Sequence, residues 1–250
     1  VHSVGGWLAL AGIIVLGPRI GRFAPDGTPR LIAGHNLTLV TLGGFILWLA
    51  WFGFNAGSTL TSSGNLGKIM LNTHLAGVSA VTVYLLFSGV MRKAILLSDT
   101  VNISLAGLVA ITAGCATMSP VYAIVTGVGA CLAYLAVKRL LDNVQMDDAV
   151  YAVAVHVGGG VWGTLAAGLF YEGDLFSTQR IIVQLMGIGA MFVWSFGLGM
   201  VVYFVIEKTI GLRVLAQHEQ RGLDFTEHAE GAYPEFQDSL FSQQTLTERH

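Results

Sequence analysis

Long runs without a charged side chain constrain this chain more than any other feature. Six stretches contain no Asp, Glu, Lys or Arg: residues 1–18, 31–67, 69–91, 100–137, 149–171 and 181–206. About 20 consecutive apolar residues cross a bilayer as a helix, in which every backbone polar group finds a partner within its own segment. The runs therefore predict an all-α integral membrane protein.

Two of the runs are longer than one crossing requires. Run 31–67 shortens to Leu37–Gly57, because the polar stretch 57–65 is typical of a loop. The step Met118-Ser119-Pro120 divides run 100–137 into two helices, since proline disfavours a helical residue before it. The prediction is seven transmembrane helices in a domain at residues 1–206, followed by a separate tail at residues 207–250.

The distribution of charge narrows the class of protein and predicts its orientation. Charged residues make up 11% of the chain, against roughly a quarter in soluble domains, and the net charge is −2. These values exclude a disordered chain and a nucleic-acid binder. If successive helices alternate in direction, Lys68 and Arg180 lie outside and the other eleven of the 13 basic residues lie inside. The bias predicts a multi-pass protein of the cell (inner) membrane with a cytoplasmic C-terminus.

A short motif occurs twice in the apolar runs. Val1-His-Ser-Val-Gly-Gly6 returns as Val155-His-Val-Gly-Gly-Gly160, five helices further along. An odd number of helices reverses the direction of the second copy, as in the inverted repeats of many transporters. The repeat predicts four further helices ahead of Val1 in the complete protein.

His2 and His156, one in each copy, are the first candidate site residues. An ionisable side chain within a span usually faces the bundle interior or a pore. Small residues let neighbouring helices approach closely. In this chain, glycines follow each histidine on its own helical face: Gly5, Gly6, Gly159, Gly160 and Gly163. Two alternatives stay open, namely core histidines bonded to backbone carbonyls and a bis-histidine haem site.

An aromatic segment in the second predicted helix is the next candidate. Trp51, Phe54, Asn55 and Ser58 share one helical face at the predicted outer end. Aromatic rings beside a hydroxyl suit a small cation, through cation–π attraction and a hydrogen bond. The alternative is an aromatic belt at the membrane interface.

Several other polar residues lie in or next to the spans. Asp147 is expected to cap the helix that carries His156, and Asp148 to reach into the bundle. The remaining candidates are expected to serve mainly in packing: His74, Thr112 and Gln184. The sequence shows no nucleophile–base arrangement, phosphate loop or zinc spacing, so we predict a protein that is not an enzyme and has no metal or cofactor.

These motifs, in this order, resemble the ammonium transporter (Amt) branch of the Amt/Rh superfamily. The resemblance rests on the histidine repeat, the segment Trp51-Phe-Gly-Phe-Asn-Ala-Gly-Ser58, Asp147-Asp148, and a tail pattern within residues 208–233. It covers nearly the whole chain, from the family's fifth membrane helix through its eleventh and into the cytoplasmic tail.

The resemblance implies an eleven-helix, inverted-repeat subunit in a homotrimer, each subunit having an apolar pore for ammonium or ammonia. His2 and His156 would be the paired pore histidines. Phe54 would be one of two phenylalanines at the outer gate, with Trp51 and Ser58 at the recruitment site. Further pore or supporting positions would be Asn55, Thr112 and Asp148. The implied partners are membrane lipid and, at the tail, a PII-type signal protein, with no nucleic acid.

Two departures from the family pattern and two competing functions complete the prediction. The family's first four helices are absent from this sequence, which should not conduct without them, and Tyr151 stands where many members carry a third acid. The alternatives are an Rh-like channel for neutral gas and an Amt-type ammonium sensor that signals through an attached module. The final residues, 244–250, show no kinase or cyclase pattern, which disfavours the sensor.

Overall fold

The computed structural model describes residues 1–62, 65–231 and 233 and confirms the all-α class. Within these residues, helices account for the regular structure, and the only strand-like feature is an isolated bridge between Phe23 and Pro29. The helices are α1 (His2–Leu16), α2 (Leu37–Gly57), α3 (Leu66–Val90), α4 (Leu97–Thr112), α5 (Pro120–Asn143), a π-helical turn (Ala154–Gly158) continuing into α6 (Gly159–Leu169), α7 (Thr178–Thr209), α8 (Ala216–Arg221) and α9 (Leu223–His228).

Each of the seven predicted spans contains a helical segment. By length and composition four of these helices can cross a membrane: α2, α3, α5 and α7. The apolar helices α1 and α4 are shorter, so the count of seven crossings stays a prediction. Local sequence sets several ends: the Asn36 side chain accepts the Leu39 N–H at the start of α2, and Pro120 opens α5.

Helix α4 is the centre of the bundle. It packs against α2, α3, α5 and α6, and its side chains from Ala106 to Ile111 are buried. Helix α1 packs mainly against α7 and the π-helical turn. Most large apolar side chains of α2 and α7, such as Phe45, Leu49 and Trp194, are exposed, as expected where a helix faces lipid rather than water.

The two copies of the repeated motif pack against each other through matching positions. A Cβ atom added at Gly6 would lie 2.7 Å from Val157, and one added at Gly160 would lie 2.9 Å from the Ser3 nitrogen. Ser3 and Val157 each follow their histidine by one residue, and Gly6 and Gly160 each follow it by four. The contact is therefore reciprocal, as expected where two repeats meet across an approximate two-fold axis. Gly5 differs from the prediction, because its added Cβ would meet no neighbour.

The first helices of the tail lie near the loop between α1 and α2. Glu219 of α8 accepts the Ile20 N–H at 2.7 Å and pairs with Arg213 at 2.9 Å. Helix α7 ends at Thr209, three residues beyond the predicted boundary between domain and tail. Residues 234–250, which include the end of the predicted tail and its final motif, lie outside the described residues.

Candidate functional site

His2 and His156 come together between α1 and the π-helical turn. Their ring centroids are 5.4 Å apart, and the ring planes differ by 18°. His2 Nε2 and His156 Nδ1 are both buried, and neither has a hydrogen-bond partner among the described residues. These two nitrogens are therefore available to a small polar molecule, whereas a nitrogen bonded to a backbone carbonyl would not be.

The stacked arrangement does not fit a haem site. Two axial ligands of a haem iron point at each other across the porphyrin plane, whereas these rings lie face to face. Within the described ranges, no group of three or more His, Cys, Asp or Glu side chains could hold a metal ion.

An aromatic wall covers one side of the histidine pair. The Trp51 ring stacks on His2 with centroids 5.1 Å apart, and the Phe54 ring lies 5.6 Å from His2 and 5.7 Å from Trp51. Trp51 is 8% exposed and Phe54 is 44% exposed. Both rings therefore contact His2, and Phe54 is the more exposed of the two.

Thr112 holds the tryptophan in this position. Its Oγ1 accepts the Trp51 Nε1–H at 3.0 Å and donates to the Leu108 carbonyl at 2.8 Å. Both hydrogen-bonding functions of the hydroxyl are used, so the indole orientation is fixed from α4. The structure thus gives Thr112 a supporting contact at the site.

Asn55 and Ser58 do not share the surroundings of Trp51 and Phe54. The Asn55 amide is buried against α3, where Nδ2 donates to Thr73 Oγ1 at 2.9 Å. The exposed Ser58 hydroxyl donates to the Phe54 carbonyl at 2.6 Å and lies at the C-terminal cap of α2. Spacing alone placed all four on one face, but the close packing of α2 on α3 divides that face.

Neither aspartate takes the role expected of it from the sequence. Asp148, rather than Asp147, caps the histidine helix by accepting the N–H groups of Ala152 (2.8 Å), Val153 (2.7 Å) and Ala154 (3.2 Å). Burial raises the pKa of Asp148, although these bonds act in the opposite direction. The assignment of the cap to Asp147 was wrong, because Asp147 is drawn toward two arginines of the loop after α1.

Arg19 and Arg22, in the loop after α1, hold Asp147. Arg19 Nε lies 2.7 Å and Arg22 Nε 3.2 Å from its carboxylate, and Arg22 also pairs with Asp142 at 2.6 Å. Burial raises the pKa of Asp147, but the hydrogen bonds from Arg19 outweigh it and leave the pKa below its usual value. Arg22 is only 5% exposed. The sequence analysis used it solely as one of the basic residues that predict the orientation of the chain in the membrane.

The cap gives a direct test of how the histidine helix is held. We expect Asp148→Ala to lower stability by about 1–2 kcal/mol, since three helix N–H groups lose their acceptor. Thermal unfolding of the purified protein in detergent measures this effect. Asp174→Asn, which changes an exposed acid paired with exposed Arg180, is the matched control. A Tm for Asp148→Ala no lower than that of the control would contradict the cap.

The backbone is irregular where it carries His156. Residues Ala154–Gly158 form a π-helical turn, and Tyr151, just before the helix, has φ 57°. π-helical turns and non-glycine residues at positive φ both concentrate at functional sites, because each costs conformational energy. No pattern in the sequence predicts either feature.

Two further polar candidates lie apart from the histidine pair. His74 is exposed on α3, where its ring lies 5.7 Å from Trp48 and 6.1 Å from Phe52. Gln184 packs against Gly168 where α7 meets α6. Both placements agree with a role in packing.

Comparisons with known proteins give the family. The profile of the Ammonium Transporter Family matches residues 1–233. A putative ammonium transporter of Synechocystis, sll0537, is 44% identical over 91% of this chain and 43% of its own length. Ammonium transporter Amt2 of Archaeoglobus fulgidus is 39% identical over 94% of this chain and 54% of its own length.

Superposition of this chain on solved structures agrees with the sequence matches. A sensor Amt protein superposes with a TM-score of 0.86 at 42% identity, over 91% of this chain and 58% of that one. Candida albicans Mep2 superposes with a TM-score of 0.76 at 24% identity, which supports the fold alone, over 86% of this chain and 51% of its own. The chain spans about half the length of the relatives it matches. The sequence, the bundle and these matches together show that the chain belongs to the ammonium transporter family.

Proposed function

We propose that the protein moves ammonium across a membrane by separating it into neutral ammonia and a proton. The observation that supports this most is the stacked pair of His2 and His156, with free ring nitrogens, directly beneath Trp51. An ammonium ion in an apolar pore would carry a desolvation cost of several kcal/mol. Ammonia avoids that cost, and imidazole nitrogens, which can both accept and donate a proton, offer the proton its own path.

The outer aromatic rings are the proposed recruitment site. The partly exposed ring face of Phe54 can attract a cation, and the half-buried histidines beneath it can accept the proton of an ammonium ion. Potassium fits the same rings but has no proton to release. Discrimination then arises at the step where the proton leaves, not at recruitment.

The remaining features of the proposal concern the whole protein. The eleven-to-two distribution of basic residues supports a cytoplasmic C-terminus in an inner-membrane protein, with a transmembrane domain ending near residue 206 and a tail beyond it. Trimer formation, contact with lipid and docking of a PII-type protein at the tail are proposed from the family. No reacting group beyond the proton-exchanging histidines is proposed, and no cofactor.

Sensing is the second candidate, and one observation favours it. The sensor Amt protein is similar to this chain in sequence and fold. A sensor needs the same recruitment site but no sustained flux. The test measures ammonium-evoked current in the full-length native protein, reconstituted on a supported membrane. A current supports transport, and binding without current supports sensing. Equal flux of ammonia without charge movement supports an Rh-like neutral pathway.

The recruitment site can be tested by replacing its two aromatic residues one at a time. We expect Trp51→Leu to weaken the apparent affinity for ammonium by about tenfold, because a cation–π contact with tryptophan contributes about 1–2 kcal/mol. Phe54→Ala should loosen the outer mouth and change the rate more than the affinity. Concentration series of methylammonium uptake measure both effects.

Trp194→Leu, on the exposed face of α7, is the control for a tryptophan outside the site. If Trp51→Leu matches this control in both affinity and rate, the aromatic residues form an interfacial belt and the recruitment proposal is wrong.

A further inference from the structure

Asn72, on α3, is a buried polar side chain to which the sequence prediction assigned no role. Its exposed fraction is 0%. Its amide nitrogen Nδ2 donates to the backbone carbonyls of Cys115 and Met118, at 2.9 Å each. The opposite orientation of the amide would set its oxygen against two carbonyl oxygens, so only this orientation can bond here. Asn72 therefore uses both of its side-chain N–H groups on the turn that joins α4 to α5.

That turn is buried and begins directly after Thr112, the last residue of α4. Met118 is 0% and Cys115 is 7% exposed. Within the turn, the Gly114 carbonyl accepts the Met118 N–H at 3.0 Å. A buried carbonyl group is unfavourable unless a donor reaches it. The amide of Asn72 therefore helps to fix where the turn lies against α3.

Two further hydrogen bonds complete a triangle of helices around Trp51. Trp51, on α2, donates its indole N–H to Thr112 at the end of α4. Asn55, one turn further along α2, donates to Thr73 on α3, the residue directly after Asn72. Side-chain hydrogen bonds thus join α2 to α4, α2 to α3, and α3 to the turn after α4. Asn72 makes the third of these connections.

We propose that Asn72 is a positioning residue for the recruitment site and acts on Trp51 through Thr112. Holding the turn to α3 fixes the end of α4. The Thr112 hydroxyl at that end orients the indole, which stacks on His2 with ring centroids 5.1 Å apart. Without the amide, two buried carbonyl groups lose their donor, and the end of α4 shifts to find others. This inference rests on the proposed function, in which Trp51 helps to recruit ammonium.

The test removes the two donors and measures affinity separately from rate. Asn72→Leu keeps a side chain that branches at the same carbon but has no N–H group. We expect it to raise the KM for methylammonium uptake at least about threefold and to change the maximal rate little, because a displaced indole loses part of its contact with the cation. In a Trp51→Leu background the same substitution should not change KM, since its effect passes through that ring. Uptake is measured in proteoliposomes with the full-length native protein.

Asn102→Leu is the matched control near the opposite end of α4. Asn102 also donates its amide N–H to a backbone carbonyl, that of Val150, at 3.2 Å. Its replacement should lower the Tm in detergent and keep the wild-type KM. Asn72→Ser is the second variant at the proposed position, because its hydroxyl is one bond shorter than the amide and should not hold both carbonyls. We expect Asn72→Ser to raise KM as well.

Four outcomes would overturn the inference alone. They are a wild-type KM in folded Asn72→Leu or Asn72→Ser, an equal rise in KM for Asn102→Leu, and the same change in KM with and without Trp51. The fourth is failure of both Asn72 variants to fold while Asn102→Leu folds, since the role would then be purely structural. Equal KM values for the wild-type protein and Trp51→Leu would instead overturn the recruitment proposal on which the inference rests.

Discussion

Replacing either His2 or His156 with alanine is expected to reduce charge-coupled ammonium transport by at least about 10²-fold, the usual contribution of a positioned proton-transfer group. The two rings are stacked with free nitrogens, so removal of one ring would break the proposed relay, which needs both. Ammonium-evoked current from the full-length native protein on a supported membrane measures the loss. We expect both single variants to fold, because alanine is tolerated within a helix.

The exposed histidine of α3 supplies the matched control. His74→Ala removes an intramembrane imidazole that packs only against rings on α2 among its described contacts, and should leave the current unchanged. His2→Asp should keep some ammonium movement, since a carboxylate also exchanges protons, while discrimination against potassium falls. Wild-type current and selectivity in both alanine variants, at normal expression, would end the proposal of a histidine relay.

Adding one methyl group at Gly163 is expected to disrupt the bundle. A Cβ there would lie 2.1 Å from the Ala110 carbonyl oxygen and 2.5 Å from its Cα. These atoms belong to the backbone of α4 and cannot move aside as a flexible side chain could. We therefore expect Gly163→Ala to destabilise the protein by at least about 3 kcal/mol, the upper range for an overpacked core. The Tm in detergent and the yield of monodisperse protein measure this.

Gly187→Ala tests the same change where space is open. Gly187 lies within α7, and an added Cβ would meet no neighbour within 4 Å. Alanine should be neutral or stabilise the helix by up to about 1 kcal/mol there, because glycine is the more flexible residue in an unfolded chain. A Gly163→Ala protein as stable as Gly187→Ala would show that α4 and α6 do not approach each other as closely as the structure has them.

The sequence was most informative about features that depend on local composition. The absence of charge over long runs predicted a helical segment at all seven positions, because a membrane span is defined by its own length and hydropathy. It was less informative about lengths, since α1 and α4 end sooner than the charge-free runs. The resemblance identified the family that the comparisons confirm, because it used the order of several motifs rather than any one of them.

In the candidate site, too, spacing along one helix predicted some positions, and packing against another helix decided others. Trp51 and Phe54 were predicted from their spacing along one helix, and the structure places both beside His2. Asn55, on the same predicted face, is instead turned into the contact with α3. Helical spacing predicts which residues share a direction, but only the position of the next helix decides which of them it covers.

The sequence by itself determined the membrane class, the histidine repeat and the glycines that follow each histidine, because each is written in residue type and spacing along one segment. Only the tertiary structure decided which aspartate caps the histidine helix, since Asp147 is drawn away by Arg19, 128 positions distant in the chain. It also decided that Lys138 pairs with Asp99 and lies against the Tyr151 ring, since these residues come from three separate segments. The physical reason is that a charge takes its role from the partners that neutralise it, and in this bundle those partners come from helices far apart in sequence.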